Sequence, residues 1–311
     1  MVKWGLSATI LAPTADILRF AAYHIDAGAH RLYLYLDDPE SDAYPWLKSH
    51  PKIRVQACND SHWQKLGGNR PAKHQVRQTK NATHAYGRKA EVDWLIHMDV
   101  DEYLAPAGDI GRVLGDLAPA TTCARVRPVE QLAGDPTLFK AFIPNGPHRR
   151  DIVADLYPDF GPYVAGGFLS HLAGKLFVRS GLPNMTVRIH NAFQGETMNP
   201  NEVELPDLDL AHAHAKGWAE WIATYRYRLE KGSYRAELAP AQSRAKGGVS
   251  LHDMFQALEA DEGEAGLRRF YAEVVQASPE LVARLQSRNM LRRIELDLDA
   301  KLARQFPDFS G

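Results

Sequence analysis

The chain has 311 residues, a formal net charge of −1 and a 45% share of hydrophobic residues, which suits a globular protein with a substantial core. The balanced charge excludes a global electrostatic argument for a nucleic-acid partner. Its two cysteines, Cys58 and Cys123, predict neither a disulfide framework nor a metal knuckle, and we expect reduced, buried thiols.

The amino-terminal residues do not follow the pattern of a signal peptide, because the apolar run is short and broken by Ser7, Thr9 and Pro13. No apolar run approaches the roughly 20 residues that a membrane-spanning helix needs. We therefore expect a cytoplasmic protein without a transmembrane segment. Peripheral contact with a membrane and formation of an oligomer both stay open.

Strands and helices alternate in the predicted order of the first hundred residues. Residues 6–12 predict a strand, residues 15–27 a helix stopped by Gly28, and residues 31–36 a second strand. A short helix over 41–49 and a strand over 52–57 follow. Residues 59–89 are polar and basic, with a loop predicted first and a helix from about 72 to 86. This alternation predicts an α/β fold with a mostly parallel central sheet flanked by helices.

An acidic cluster ends the strand predicted over residues 94–101. Asp99, Asp101 and Glu102 follow a run of apolar residues, and Asp37 ends the second strand in the same way. Ligand sites in open α/β sheets lie at the carboxyl ends of the strands, so we expect these side chains on one edge. Carboxylates at this spacing suit a hard divalent ion such as Mg²⁺ or Mn²⁺. An acidic turn without a metal is the alternative, and Glu102 receives no assigned role.

Neither a phosphate-binding P-loop nor a dinucleotide-binding glycine fingerprint is present. Further along, Arg125 and Arg127 share one face of a strand predicted over 121–129, either as solvated charges or as contacts for phosphate or acceptor. Residues 166–191 group Ser170, His171 and Lys175 around Gly174, where a backbone can approach a ligand closely.

The carboxyl-terminal third is predicted to be mainly helical. Residues 217–232 predict a helix rich in aromatic residues and arginine, and residues from 250 onward predict amphipathic helices. Residues 240–249, with proline and paired glycines, form the best linker candidate. We therefore predict a catalytic domain over 1–240 and a helical extension over 250–311.

Four stretches together resemble the bacterial family 2-like glycosyltransferases, whose signature is an apolar strand ending in Asp-x-Asp-Glu-Phe/Tyr. They are residues 18–29, residues 94–103, residues 170–191 and the His-x-His-x-Lys of residues 212–216 with its aromatic helix. Ala213 and Gly217 stand where the family usually has tyrosine and serine. The resemblance implies a GT-A fold and a metal-dependent, inverting transfer of sugar from a nucleotide-sugar such as a UDP- or GDP-sugar.

The acceptor implied by the resemblance is a hydroxyl of a carbohydrate or lipid-linked compound, in cell-envelope or extracellular polysaccharide synthesis. Asp101 would bind the metal directly, and Asp99 would contact ribose or metal-bound water. The metal's third ligand would be His212. The residues implied on the nucleotide, phosphate or acceptor side are Asp37, Lys175, His190 and Lys216. The catalytic base is not identified, and its candidates are Asp151, Asp155, Asp159, Asp207 and Asp209.

Two other classes of function are compatible with the same residues. A nucleotidyltransferase or phosphohydrolase would use the same carboxylates on a nucleotide without transferring sugar. A non-catalytic carbohydrate-binding protein would carry the acids as surface residues. These hypotheses differ in whether nucleotide binds and in which bond is broken.

Overall fold

The structure is a computed structural model that describes residues 1–88, 91–106, 108–214, 217–241 and 244–309. The strands, in chain order, are β1 (Trp4–Ile10), β2 (Arg31–Leu36), β3 (Ile53–Ala57), β4 (Trp94–His97), β5 (Glu102–Pro106), β6 (Cys123–Gln131), β7 (Leu138–Ala141), β8 (Lys175–Arg179), β9 (Met185–Val187), β10 (Ala192–Gln194), β11 (Thr197–Met198), β12 (Glu202–His212) and β13 (Leu291–Arg293). The α-helices are α1 (Thr14–Asp26), α2 (Ala43–Ser49), α3 (Asp60–Lys65), α4 (His74–Gly87), α5 (Ile110–Gly115), α6 (Arg149–Leu156), α7 (Trp218–Glu230), α8 (Leu251–Val274), α9 (Pro279–Ser287) and α10 (Leu298–Gln305).

The chain forms two compact units that interleave along the sequence. Unit 1 contains Met1–Arg127, Ala173–Leu210 and Leu296–Gly311, and unit 2 contains Pro128–Leu172 and Ala211–Glu295. The sequence predicts a single boundary near 240–249, whereas these units join segments that are distant along the chain. The last helix, α10, therefore belongs to unit 1 rather than to a separate extension.

Unit 1 is built on a sheet with strand order β6–β8–β4–β1–β2–β3, to which β6 contributes its amino-terminal part. Strands β4, β1, β2 and β3 run parallel, as the alternating pattern predicts. Strand β8 then pairs antiparallel with both β4 and β6. The predicted α/β class is confirmed, with a parallel half that continues into an antiparallel half.

Helix α1 shows how the local sequence sets the first crossover. Its residues from Ile17 to Ile25 are mainly buried, and the helix ends at Asp26, two residues before Gly28, whose φ of +94° favours glycine. The amide of Ala29 donates to the carbonyl of His24 at 2.9 Å, which closes the helix end and directs the chain into β2. Helix α10 lies against α1, where Gln305 donates to Asp26 at 2.6 Å.

Two short segments differ from the predicted elements. Residues 60–65 form helix α3 within a stretch predicted to be a loop, because Asn59 accepts from the amide of His62 at 3.0 Å and Trp63 is buried. The acidic strand is shorter than predicted: β4 ends at His97, a turn follows, and β5 begins at Glu102.

Unit 2 combines a small antiparallel sheet with the carboxyl-terminal helices. Strand β7 pairs with the second half of β6 and with β13. The core combines aliphatic and aromatic side chains, and within it Phe255 contacts Phe270 edge-to-face at 4.7 Å between ring centroids. The helices predicted after residue 250 are confirmed as α8, α9 and α10, but residues 291–293, which were included in that helical region, form strand β13 and pair with β7. Within the described part of the chain, no helix combines the length and apolarity needed to cross a bilayer.

Candidate functional site

Two strand-end aspartates are held by neighbouring residues of one helix in unit 1. Asp37 directly follows β2, and Asp99 lies two residues beyond β4. Arg77 of α4 donates from Nη2 to Asp37 Oδ2 at 2.8 Å. Gln78, the next residue of α4, donates from Nε2 to Asp99 Oδ1 at 2.5 Å. Helix α4 therefore joins the carboxyl ends of two parallel strands, which is the edge where the sequence predicts a site.

The Asp37 carboxylate is covered rather than open to a ligand. Its side chain is 0% exposed, and Arg77 and Arg70 both pair with Oδ2, at 2.8 and 3.0 Å. Arg77 also donates to the backbone carbonyls of Pro71 and Ala72, each at 2.9 Å. Arg70 keeps 45% of its side chain exposed. Asp37 thus holds two guanidinium groups in place, and Arg70 is the one that a ligand can reach.

Lys175 supplies a cation to the acidic cluster. Its side chain is 0% exposed, and its ammonium lies 2.7 Å from Asp99 Oδ2 and 3.2 Å from Glu102 Oε2. Glu102 also accepts the backbone amide of Asp99 at 2.9 Å, while its own amide donates to the carbonyl of Asp99 at 3.2 Å. Glu102 therefore closes the turn between β4 and β5 and binds the ammonium, a role that the sequence left unassigned.

The protonation states at this edge follow from burial and from these neighbours. Burial opposes the charged form of Lys175, but the Asp99 and Glu102 carboxylates outweigh it and raise the pKa of Lys175. Burial, followed by the nearby Lys175 charge, lowers the pKa of His97 to about 3. His97 is thus a neutral imidazole, and neither ring nitrogen has a hydrogen-bond partner among the residues that the structure describes.

Arg125 supports the segment that precedes Lys175. Its guanidinium pairs with Glu202 and donates to the carbonyls of Ala173 and His190, at 2.8 and 3.0 Å. The His190 ring nitrogen Nδ1 lies 2.9 Å from the carbonyl of Gly174. The two roles that the sequence offered for Arg125, solvated charge or ligand contact, are both wrong, because this buried side chain is bonded within the protein.

The residues around Asp99 do not fit the metal shell that the sequence predicts. Both Asp99 oxygens already accept hydrogen bonds, from Gln78 and from Lys175. The ammonium of Lys175 also lies between Asp99 and Glu102, where it would repel a divalent ion placed beside it. Across the described ranges, no three histidine, cysteine, aspartate or glutamate side chains are grouped to hold a metal ion.

The remaining predicted site residues fall in different places. Asp101 is half-buried in the turn after β4, within unit 1. His212 belongs to unit 2, where its ring stacks on His214 at 4.2 Å, and its bond to a metal stays a prediction. Lys216 lies outside the described residues.

The candidate bases are also divided between the units. Asp155 and Asp159 of unit 2 pair with Arg288 and Arg269, at 2.6 and 2.9 Å, and Asp151 is exposed on α6. Asp207 and Asp209 lie on β12 in unit 1, exposed and half-buried respectively. The identity of the base stays a prediction.

The sequence missed the residues that assemble the site. The sequence indicates Arg77 only as one residue of a basic helix, and it gives no separate signal for Gln78. Their signal is weak, because adjacent helical positions normally diverge by about 100° and do not suggest a common site. The sequence also left open that Lys175 contacts Asp99, since the two positions are 76 residues apart.

Unit 2 contains a separate polar cluster beside a cavity. The buried Glu130 accepts the amides of Ser170 and Leu169 at 2.9 and 3.1 Å and pairs with Lys140 at 3.1 Å. Burial would raise the pKa of Glu130, but Lys140 and then His214 lower it to about 2. These bonds fix one wall of a cavity of about 370 Å³, a size suited to a small ligand. Its lining includes Tyr163, Phe168, Ser170, His171, Tyr234 and His252.

No protein-family model and no curated protein matches the chain. Among solved structures, the glycosyltransferase GlyE of Streptococcus pneumoniae is 13% identical, with a TM-score of 0.32, over 99% of this chain and 64% of GlyE. Glucosyl-3-phosphoglycerate synthase of Mycobacterium tuberculosis, solved with Mn²⁺, UDP-glucose and phosphoglyceric acid, is 12% identical, with a TM-score of 0.30, over 57% of each chain. HddC of Yersinia pseudotuberculosis is 14% identical, with a TM-score of 0.27, over 42% of this chain and 59% of HddC.

The chain spans less than two thirds of the length of each of these solved chains. These are distant structural likenesses, and at such TM-scores they carry no argument about function. The strand-end site is the group of side chains at this edge of the unit 1 sheet, Asp37, Arg70, Arg77, Gln78, Asp99, Glu102 and Lys175.

Proposed function

We propose that the protein is a glycosyltransferase that moves a sugar from a nucleotide-sugar donor, such as a UDP- or GDP-sugar, to a hydroxyl of a carbohydrate or lipid-linked acceptor. The observation that carries the proposal is the joint anchoring of Asp37 and Asp99 by Arg77 and Gln78. This anchoring places acidic and cationic groups together at the carboxyl edge of a parallel sheet, which is where nucleotides bind in open α/β folds.

Each part of such a donor has a chemically suited group at this edge. The Asp99 carboxylate, 34% exposed, can accept hydrogen bonds from ribose hydroxyls. Arg70 presents a guanidinium suited to the diphosphate, and the amino-terminal end of α4 favours negative charge. We assign Asp101 to the donor as well, as the half-buried acid of the same turn. The covered Asp37 then serves to position Arg70 and Arg77.

The proposed transfer follows from the chemistry of the donor. The bond between the anomeric carbon and the diphosphate breaks, and a bond forms between that carbon and the acceptor oxygen. The acceptor proton passes to a carboxylate base, for which Asp207 and Asp209 are the candidates in unit 1. Arg70 and the start of α4 would stabilise the charge that develops on the departing diphosphate. No step is assigned to a divalent ion, since Lys175 already pairs with Asp99 and Glu102.

Isothermal titration calorimetry with UDP- and GDP-sugars, with and without Mn²⁺, tests the proposal. We expect a donor of one base to bind and Asp101→Ala to weaken its affinity at least tenfold, or about 1.4 kcal/mol. Asp116→Ala is the matched control, because Asp116 is exposed on the same unit and touches only Arg112 among the described ion pairs. Unchanged affinity in the Asp101 variant would refute the assignment.

The alternative of a nucleotidyltransferase or phosphohydrolase uses the same carboxylates and differs in the bond that breaks. Turnover of nucleoside triphosphate without release of sugar-derived product would favour that alternative. If the protein instead binds carbohydrate without catalysis, no nucleotide should raise its melting temperature, because only a ligand that binds the native state stabilises that state.

A further inference from the structure

The ammonium of Lys175 contacts two carboxylates of the acidic turn between β4 and β5. Lys175 begins β8, and the antiparallel register that pairs Ile96 with Phe177 brings the start of β8 to the carboxyl end of β4. The side chain has no exposed surface and reaches Asp99 Oδ2 at 2.7 Å and Glu102 Oε2 at 3.2 Å. A single cation is thus enclosed between two carboxylates of one turn.

The surroundings of this ammonium show a site built around it. Gln78 fixes the second oxygen of Asp99, and the amide of Asp99 donates to Glu102 Oε2. Arg125 bonds the carbonyl of Ala173, and His190 bonds that of Gly174, so the chain immediately before Lys175 is tied in place. The lysine is therefore held from both its backbone and its ammonium, as a fixed structural ligand would be.

Charge balance explains why a cation is needed. Asp99 and Glu102 lie close enough to share one ammonium, and two buried or half-buried carboxylates at that distance repel each other without a positive charge between them. A divalent ion or an ammonium can each meet this need, but both cannot occupy the same space. The short contact to Asp99 shows that the lysine occupies it.

We propose that Lys175 is the resident cation of this turn, so that Asp99 and Glu102 are held in place without a divalent metal ion. The inference concerns the site of the proposed glycosyltransferase and rests on that function only for the identity of the donor. A metal titration needs no donor, so its outcome is independent of whether nucleotide-sugar binds.

The first test measures the melting temperature and the calorimetric binding of Mn²⁺ and Mg²⁺ with the wild-type chain. We expect no metal-dependent shift in melting temperature and no loss of stability with a chelator. Mn²⁺ binding that stabilises the wild-type protein and disappears in Asp99→Asn would overturn the proposal, because the metal would then be the resident cation. This test does not depend on whether a lysine variant folds.

The second test removes the ammonium. Lys175→Ala leaves space between two uncompensated carboxylates, so we expect a lower melting temperature that Mn²⁺ partly restores. The Lys175→Ala/Glu102→Gln double variant is the matched control, and its stability should not respond to Mn²⁺. Two results would show that the ammonium does not occupy a cation site. The first is a folded Lys175→Ala variant whose melting temperature Mn²⁺ does not raise. The second is an equal rise of the melting temperature with Mn²⁺ in Lys175→Ala and in the double variant.

Discussion

Replacing Arg77 with leucine removes the main partner of a fully covered carboxylate. Arg77 makes two bonds to Asp37 Oδ2, at 3.1 and 2.8 Å, and two more to backbone carbonyls of residues 71 and 72. The Asp37 side chain is 0% exposed, and Arg77 is 10% exposed. Removing one partner of a buried ion pair typically costs about 3–5 kcal/mol, because the other charge stays buried.

Arg70 moderates that cost, since it keeps a 3.0 Å contact with Asp37 after the substitution. We therefore expect Arg77→Leu to destabilise unit 1 by about 3 kcal/mol, at the lower end of that range. Urea denaturation, followed by circular dichroism, measures the change. Arg70→Leu is the comparison: its guanidinium is 45% exposed, and exposed ion pairs contribute only about 0–1 kcal/mol.

A double-mutant cycle separates the ion pair from the loss of packing. In an Asp37→Asn background no buried charge is left behind, so Arg77→Leu should cost about 2 kcal/mol less than in the wild-type chain. An equal cost in both backgrounds would refute the reasoning, because Arg77 would then act through its backbone bonds alone. Donor affinity should fall in parallel, because Arg77 holds Asp37, and Asp37 in turn positions Arg70.

Three further predictions concern other parts of unit 1. Burial lowers the pKa of His97 to about 3 from an ordinary 6.5, so the contribution of this residue to the free energy of unfolding should be full above pH 6.5 and should fall by about 1.4 kcal/mol per pH unit from there towards pH 3. In urea denaturation between pH 7 and pH 4, the slope of the unfolding free energy against pH should be smaller in His97→Asn by the amount that one proton contributes. An unchanged slope would contradict this. Burial raises the pKa of Cys58 to about 12 and that of Cys123 to about 11, so iodoacetamide should modify neither thiol until urea unfolds the chain, as mass spectrometry can verify. Gly28→Ala should destabilise the protein by about 1 kcal/mol, because the φ of +94° at this position is unfavourable for alanine. Gly87→Ala at the end of α4 should be neutral or stabilising, because the added Cβ would meet no other atom within 4 Å. Thermal denaturation compares the two variants, and equal effects would argue against strain at Gly28.

The local sequence is sufficient to predict an element where that short segment determines its own secondary structure. The predicted strand over 31–36 matches β2, because apolar residues fill it and Gly28 follows the end of the preceding helix. Helix α3 was missed because it has six residues, of which His62 and Trp63 are buried, and such a segment shows no helical periodicity. The sequence could place Asp37 and Asp99 at one edge because parallel strands share that edge.

The partners of those acids depend on contacts between distant segments. Lys175 was expected to face phosphate or acceptor, but its position beside Asp99 follows from the antiparallel pairing of β8 with β4, for which the sequence has no local signal. The interleaved units have the same origin, since residues 296–311 return to unit 1 through the packing of α10 on α1. Binary patterns predict elements and edges, whereas the pairing of elements requires the folded chain.

Product analysis tests the central claim, that the strand-end site transfers sugar from a nucleotide-sugar, most directly. The purified chain is incubated with UDP- and GDP-sugars and a set of hydroxyl acceptors, and the products are identified by mass spectrometry. We predict an acceptor whose mass increases by one sugar residue, with release of nucleoside diphosphate, and loss of both products in Asp101→Ala. Nucleoside triphosphate turnover without any glycosylated product would contradict the account.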